Sequence, residues 1–330
     1  MPKKRGGRKP LIDTTPELEP AFKKVLEVHT AGDPMKSDCL WTNLSMQAIA
    51  DLMIKAGQHA SAYLVEQLLD HCGLGHRQAF KGLTMKQHRD RSQQFDIIGG
   101  YKQMYLDSPN PILSIDTKKR ELIGLFYRDG KLYTTAGRRV WDHDFPSFAE
   151  GVVIPHGLYD VKRNRGYVNL GTSRDTSAFA CDSLLQWWQA EGRQAYPKAD
   201  SLLLLCDGGG SNSASQYLFK EDLQQLVDTM GITIRVAHYP PYCSKYNPIE
   251  HRLFPHLTRA CQGIIYESVA QVQYYMSKAA TKTGLEVVVN ILDKVYQTGR
   301  KAAEGFRETM TIVFDSILPK FNCQAIPASL

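Results

Sequence analysis

The feature that most constrains this chain is the run Ser201-Leu202-Leu203-Leu204-Leu205-Cys206, which ends at Asp207-Gly208-Gly209-Gly210. A short apolar run bounded by turn residues reads as a strand, and its lack of polar alternation means that both faces are covered. Such strands belong to sheets with helices packed on them. Ile112 to Ile115 forms a second buried run, leading to Asp116, and Ile232 to Ala237 forms a third. Leu122 to Tyr127 reads as the hairpin partner of the strand before Asp116. Val152 to Tyr159 and Tyr167 to Leu170 flank the turn Lys162-Arg163-Asn164-Arg165-Gly166. Helical periodicity marks Thr176 to Gln189 and Ser213 to Met230, and another helix begins near Pro248. Hairpin strands followed by alternating helix and strand predict an α/β fold, a mixed sheet flanked by helices.

The sequence before this region has another texture. Residues 1–30 form a basic arm and linker, with Lys3, Lys4, Arg5, Arg8 and Lys9 among the first nine residues and no acid between them. Cations of this kind neutralise phosphates and release counterions whatever the base sequence. A solvated tail is the plain alternative. Residues 31–100 predict a small helical module. Ser45 caps a helix carrying Ile49, Leu52 and Met53; Gly57 makes a turn; Ser61 caps a second helix carrying Leu64, Val65, Leu68 and Leu69. Two helices across a short glycine turn outline a helix-turn-helix, plain or winged, whose second helix would enter the major groove. Ser61 and Tyr63 would then face DNA, with Arg77 just beyond. An ordinary helical hairpin would look the same.

Several function classes are excluded. No apolar run approaches the roughly 20 residues that cross a bilayer, and the basic start lacks the apolar stretch of a secretory signal. A cytoplasmic protein with no membrane partner is expected. The seven cysteines are scattered without a C-x-x-C pair, so neither a zinc ribbon nor a disulfide framework is predicted. The glycines after Asp207 lack the Lys-Ser or Lys-Thr of a phosphate loop, and no G-x-S-x-G elbow occurs.

Three acids stand where an α/β sheet displays functional groups. Asp116 ends one buried strand, Asp207 directly follows another, and Glu250 falls in the first turn of the helix after Pro240-Pro241. Phosphodiester cleavage builds charge on the entering and leaving oxygens, and two divalent ions clamp both. Magnesium prefers hard oxygen ligands such as carboxylates. Taken singly, each acid has an ordinary explanation as a turn former or a helix-dipole partner. Their joint placement is what points to chemistry.

The flanking residues carry a family likeness. Ser114-Ile115-Asp116-Thr117-Lys118-Lys119-Arg120-Glu121-Leu122-Ile123-Gly124 resembles the first-acid segment of the ISAzo-thirteen family of insertion-sequence transposases. Asp207-Gly208-Gly209-Gly210-Ser211-Asn212 resembles its second-acid segment. The stretch from Pro240 to Phe254, with Asn247-Pro248-Ile249-Glu250, resembles its third, and that of the wider Tc/mariner-like transposases. Gly157-Leu158-Tyr159-Asp160 and Asn164-Arg165-Gly166 are similar too, and the likeness runs from about residue 5 to about 285. It implies an RNase H-like catalytic domain over residues 101–265, with a helical extension over 266–330. It also implies metal-binding acids Asp116, Asp207 and Glu250, holding two Mg²⁺ or Mn²⁺ ions, and nicking at element ends followed by strand transfer to target DNA. Lys118, Lys119, Arg165, Lys245 and Arg252 are expected to contact phosphates near the acids, and joining two ends implies a homo-oligomer on DNA. Two other readings stand beside this one: a shortened, non-catalytic DNA-binding derivative, and a stand-alone RNase H-like nuclease.

Overall fold

Leu202, Leu203, Leu204 and Leu205 are all inaccessible to solvent, as a strand covered on both faces requires. The computed structural model describes residues 11–29, 31–33, 36–42, 44–77, 88–209 and 217–328. The chain divides into two units, Met1–Leu83 and Thr84–Leu330.

In the first unit, helix Leu18–His29 (α1) precedes a hairpin of Ala31–Asp33 (β1) and Lys36–Trp41 (β2). Helices Met46–Lys55 (α2) and Ala62–His71 (α3) follow. The caps are those the sequence predicts. Ser45 Oγ accepts the Ala48 N–H at 3.1 Å, and Ser61 Oγ accepts the Leu64 N–H at 3.2 Å. Gly57 turns the chain between them at φ +84°, a conformation glycine adopts without steric cost. Phe22, Ile49, Met53, Val65 and Leu68 make the unit's core. The sequence reading sees only a break at Gly32-Asp33-Pro34. The structure has the β1–β2 hairpin there, whose strands are too short to show a clear period of two.

The second unit opens with helix Arg91–Leu106 (α4), which packs Ile98 and Tyr105 against Ile112, Leu203 and Leu205. The domain boundary drawn at residue 100 falls inside this continuous helix. Strands Ile112–Thr117 (β3), Glu121–Ile123 (β4), Gly151–Asp160 (β5) and Arg165–Gly171 (β6) come next. Helix Ser177–Trp187 (α5) leads to Ser201–Asp207 (β7), and helix Tyr217–Met230 (α6) to Thr233–Tyr239 (β8). Helices Ile249–Arg252 (α7), Phe254–Ala260 (α8) and Val269–Met276 (α9) precede Glu286–Leu292 (β9), Ile312–Phe314 (β10) and Asn322–Ala325 (β11). The sheet order is β10-β11-β8-β7-β3-β5-β6-β9. β5 runs antiparallel to its two neighbours, β3 and β6, while β7 and β8 run parallel to β3. Three antiparallel strands followed by two parallel ones reached through helices is the RNase H-like arrangement.

Two expectations are corrected. The hairpin partner of β3 is β5, not the segment from Leu122; β4 is only three residues long and pairs with Val152 and Val153 of β5. The extension after residue 265 is not purely helical. Val287, Val288 and Val289, β-branched residues that fit a pleated surface, align in parallel with Gly166, Tyr167 and Val168. β11 extends the other edge along β8.

Strand alternation sorts the side chains onto two faces. Leu113, Ile115 and Leu204 face α5 and α6, meeting Leu184 and Leu223. Val168 and Leu170 face α7 and α8, meeting Ile249, Leu253 and Leu257. On this second face a Cβ at Gly157 would stand 2.7 Å from a Phe254 ring carbon and 2.9 Å from Ile249 Cδ1. At Gly166 it would stand 2.5 Å from Leu253 Cδ1. These glycines let α7 and α8 lie directly on the sheet, which explains two of the family-like stretches. Gly157→Val should therefore lower stability by about 1–3 kcal/mol through overpacking. It should also displace Glu250, which α7 carries, from its place on the sheet. Urea unfolding and a crystal structure of the variant check both parts.

Candidate active site

Parallel pairing sets Ile112 of β3 opposite Leu203 of β7, Leu113 opposite Leu204 and Ser114 opposite Leu205. The offset is 91 residues throughout, which is also the separation of Asp116 from Asp207. Carried two residues further, this register sets the aspartates level on neighbouring strands. Their side chains share one face, since in-register neighbours in a sheet point the same way. It is the face on which α7 lies.

Glu250 is held there by a buried latch. Asn247, wholly inaccessible, donates from Nδ2 to the Ile115 carbonyl at 3.0 Å. The Ser114 hydroxyl donates to Asn247 Oδ1 and accepts the Ile249 N–H at 2.9 Å. The loop before Glu250 is thus stitched to β3 beside Asp116, and Pro248 starts the short helix that follows. Leaving one of these buried groups unpaired would cost about 1–3 kcal/mol.

The three acids sense one another. Burial, the charge of Asp207 and a hydrogen bond with Glu250 push the Asp116 carboxyl up to about 8, against a Thr117 N–H bond at 2.7 Å that lowers it. Burial raises Asp207 as well, opposed by a Gly209 N–H and reinforced by the charges of Glu250 and Asp175. Asp175 is a fourth acid that sequence reasoning missed. It accepts a hydrogen bond from the Thr117 hydroxyl at 3.3 Å and lies one residue before Thr176, the cap of α5. No local pattern sets it apart from an ordinary loop aspartate.

The expected DNA contacts scatter. Lys119, Lys245 and Arg252 are exposed on the segments that carry Asp116 and Glu250. Lys118 is mostly buried, with its ammonium 2.6 Å from Glu121. Arg165 is not brought to the acids. It pairs with Glu191 and Glu286, each at 3.0 Å, and sits three residues along β6 from Val168, the residue level with Gly157 and Asp116. That is about 10 Å along the strand. In the first unit Tyr63 is 69% exposed and Arg77 is exposed, while the Ser61 hydroxyl is engaged as a helix cap. Arg8 and Lys9 lie outside the described residues.

The sequence matches the family described as the Rhodopirellula transposase DDE domain over residues 21–327. The chain belongs to this transposase family. The match continues through β9, β10 and β11, beyond the likeness visible by eye. No curated protein matches the sequence. Among solved structures, a pre-cleavage Mos1 transpososome is similar with a TM-score of 0.44 and 13% identity, over 83% of this chain and 73% of that one. The Mos1 strand transfer complex gives 0.43 and 14%, over 83% and 72%. The Mos1 mariner paired-end complex with Mn gives 0.42 and 15%, over 83% and 73%.

DDE transposases use divalent metal, and the donor chemistry here fits such an ion. Among the described residues no three His, Cys, Asp or Glu side chains close into a cage. Magnesium does not ask for one: it takes one or two carboxylates and completes its shell with water and substrate phosphate. Asp116, Asp207 and Glu250 form an open row whose mutual repulsion a cation would relieve. No described helix is long and apolar enough to cross a membrane.

Proposed function

We propose that this transposase cleaves DNA at the ends of an insertion sequence and transfers the freed strand to target DNA, with Asp116, Asp207 and Glu250 holding two Mg²⁺ or Mn²⁺ ions. The observation that carries this reading is the shared 91-residue offset that levels Asp116 with Asp207, with Glu250 latched beside them. Asp116, Asp207 and Glu250 would hold the ions, which when bound would supply positive charge against the entering and leaving oxygens. The protein's own part is positional. Asp116 and Asp207 stand on adjacent strands of a packed sheet, and the Ser114–Asn247 latch fixes the start of α7. Lys119, Lys245 and Arg252 draw the phosphate backbone towards the acids. In the first unit α2 and α3 act as a helix-turn-helix, with Tyr63 and Arg77 on DNA and Arg8 and Lys9 on the backbone. Joining two ends requires at least two copies of the chain.

Supercoiled plasmid incubated with the purified chain tests the chemistry. Nicking is expected with Mg²⁺ or Mn²⁺ and none with EDTA. Adding element-end duplex and a target plasmid should give joined products. Binding without nicking would identify a non-catalytic derivative, and nicking without joining a plain nuclease.

A further inference from the structure

The loop that delivers Glu250 carries two exposed aromatic rings. Tyr242 is 61% exposed and Tyr246 41%. Tyr246 is nevertheless fixed on its protein side. Its hydroxyl accepts a hydrogen bond from Arg91 at 3.2 Å, and Phe95 meets its ring edge-on at 5.0 Å. The Arg91 guanidinium lies 5.6 Å from the ring centroid and the Lys245 ammonium 5.2 Å. Tyr242 adopts φ +63°, a left-handed conformation uncommon for a bulky residue and a frequent mark of functional loops. Beside Tyr246, an open hollow of about 690 Å³ is lined by His88, Arg89, Arg91, Ser92, Phe95 and Asp96.

This cluster lies at the acid end of the sheet. Asp207 is level with Tyr239 across β7 and β8, and the Tyr239 ring is 6.0 Å from Phe95. We propose that Tyr246 and Tyr242 form a stacking platform for unpaired bases of the DNA strand that passes the acids, with Arg91 and Lys245 on its flanking phosphates. The inference rests on the reading of the acids as a DNA-cutting site. Every base offers a π-face, so a platform of this kind holds a strand without reading its sequence, and cations beside it meet the backbone. A ring already fixed by Arg91 and Phe95 gives up little further freedom when a base lies on it.

The test uses the full chain with a single-stranded oligo-dT carrying one 2-aminopurine, in EDTA so that no cleavage intervenes. Stacking on tyrosine should quench the 2-aminopurine several-fold. Tyr246→Ala should lose most of that quenching and bind about ten-fold or more weakly; Tyr246→Phe should retain both. Tyr242→Ala, at the more exposed ring, should weaken quenching and binding in the same direction. Absence of quenching by the unmodified chain, or equal quenching by Tyr246→Ala and Tyr242→Ala, overturns the proposal. Plasmid nicking with Mg²⁺ is scored separately. Nicking without quenching removes the platform and leaves the cutting site standing, while quenching without nicking does the reverse.

Discussion

Asp116→Asn should fold, abolish cleavage, and make the metal-free protein more stable than its parent. The amide has the shape of the carboxylate but not its charge, so β3 and its register with β7 survive. What disappears is a hard oxygen donor at the centre of the row. Charge stabilisation by a bound ion is worth several kcal/mol, so nicking should fall by at least about 10²-fold. The gain in stability follows from the same crowding. Asp116 is partly buried beside Asp207 and Glu250, and its carboxyl is pushed up to about 8 from an ordinary 3.8. Between those values the folded chain holds a proton that the unfolded chain has released. Stability of the metal-free protein therefore falls as pH rises through that window. Asparagine removes the share of this dependence that belongs to Asp116, and near pH 8 the variant should be more stable by roughly 1–2 kcal/mol, a few degrees in Tm. Thermal melts with and without Mg²⁺ at pH 5 and pH 8 measure this. The parent should gain most from Mg²⁺ at pH 8, and the variant should gain much less. Parental nicking by the variant would remove Asp116 from the site.

The legible parts of this molecule are those whose cause is local. The strand Leu202 to Leu205 shows itself because burial on both faces leaves an apolar run without alternation. The caps Ser45 and Ser61 show themselves because a hydroxyl three residues before its amide is a short-range event. The offset between Asp116 and Asp207 is visible as a number, but it acquires meaning only once β3 and β7 pair in parallel. What escapes the sequence is what depends on partners far along the chain. Asn247 is one letter in a motif until Ser114 and Ile115, more than a hundred residues earlier, turn out to be its partners. Arg165 sits in a turn rich in cations and reads as a phosphate contact, yet its charge is taken by Glu191 and Glu286, which no local pattern links to it. The valines of β9 have no hairpin partner nearby, because their neighbour is β6, more than a hundred residues back.

The face of the sheet opposite the acids should make the protein sensitive to acid through one residue. His156 of β5 is wholly buried; neither ring nitrogen has a hydrogen-bond partner, and Phe179 of α5 lies edge-on at 5.6 Å. Burial alone lowers its pKa from 6.5 to about 4. The unfolded chain therefore binds a proton near pH 6.5 that the folded chain refuses until about pH 4. The sign is opposite to that of Asp116. The contribution of neutral His156 is whole above pH 6.5 and declines as pH falls, by about 3 kcal/mol at pH 4. Because the carboxyl of Asp116 works the other way over part of the same range, the pH profile of the parent alone does not isolate the histidine. The comparison with His156→Leu does, since leucine fills a similar volume beside Phe179 and cannot titrate. Urea unfolding from pH 7 to pH 4 should show the parent losing about 3 kcal/mol relative to the variant. Parallel profiles would mean that the folded protein admits the proton, and that water or a polar neighbour reaches a ring the packing of α5 otherwise closes off.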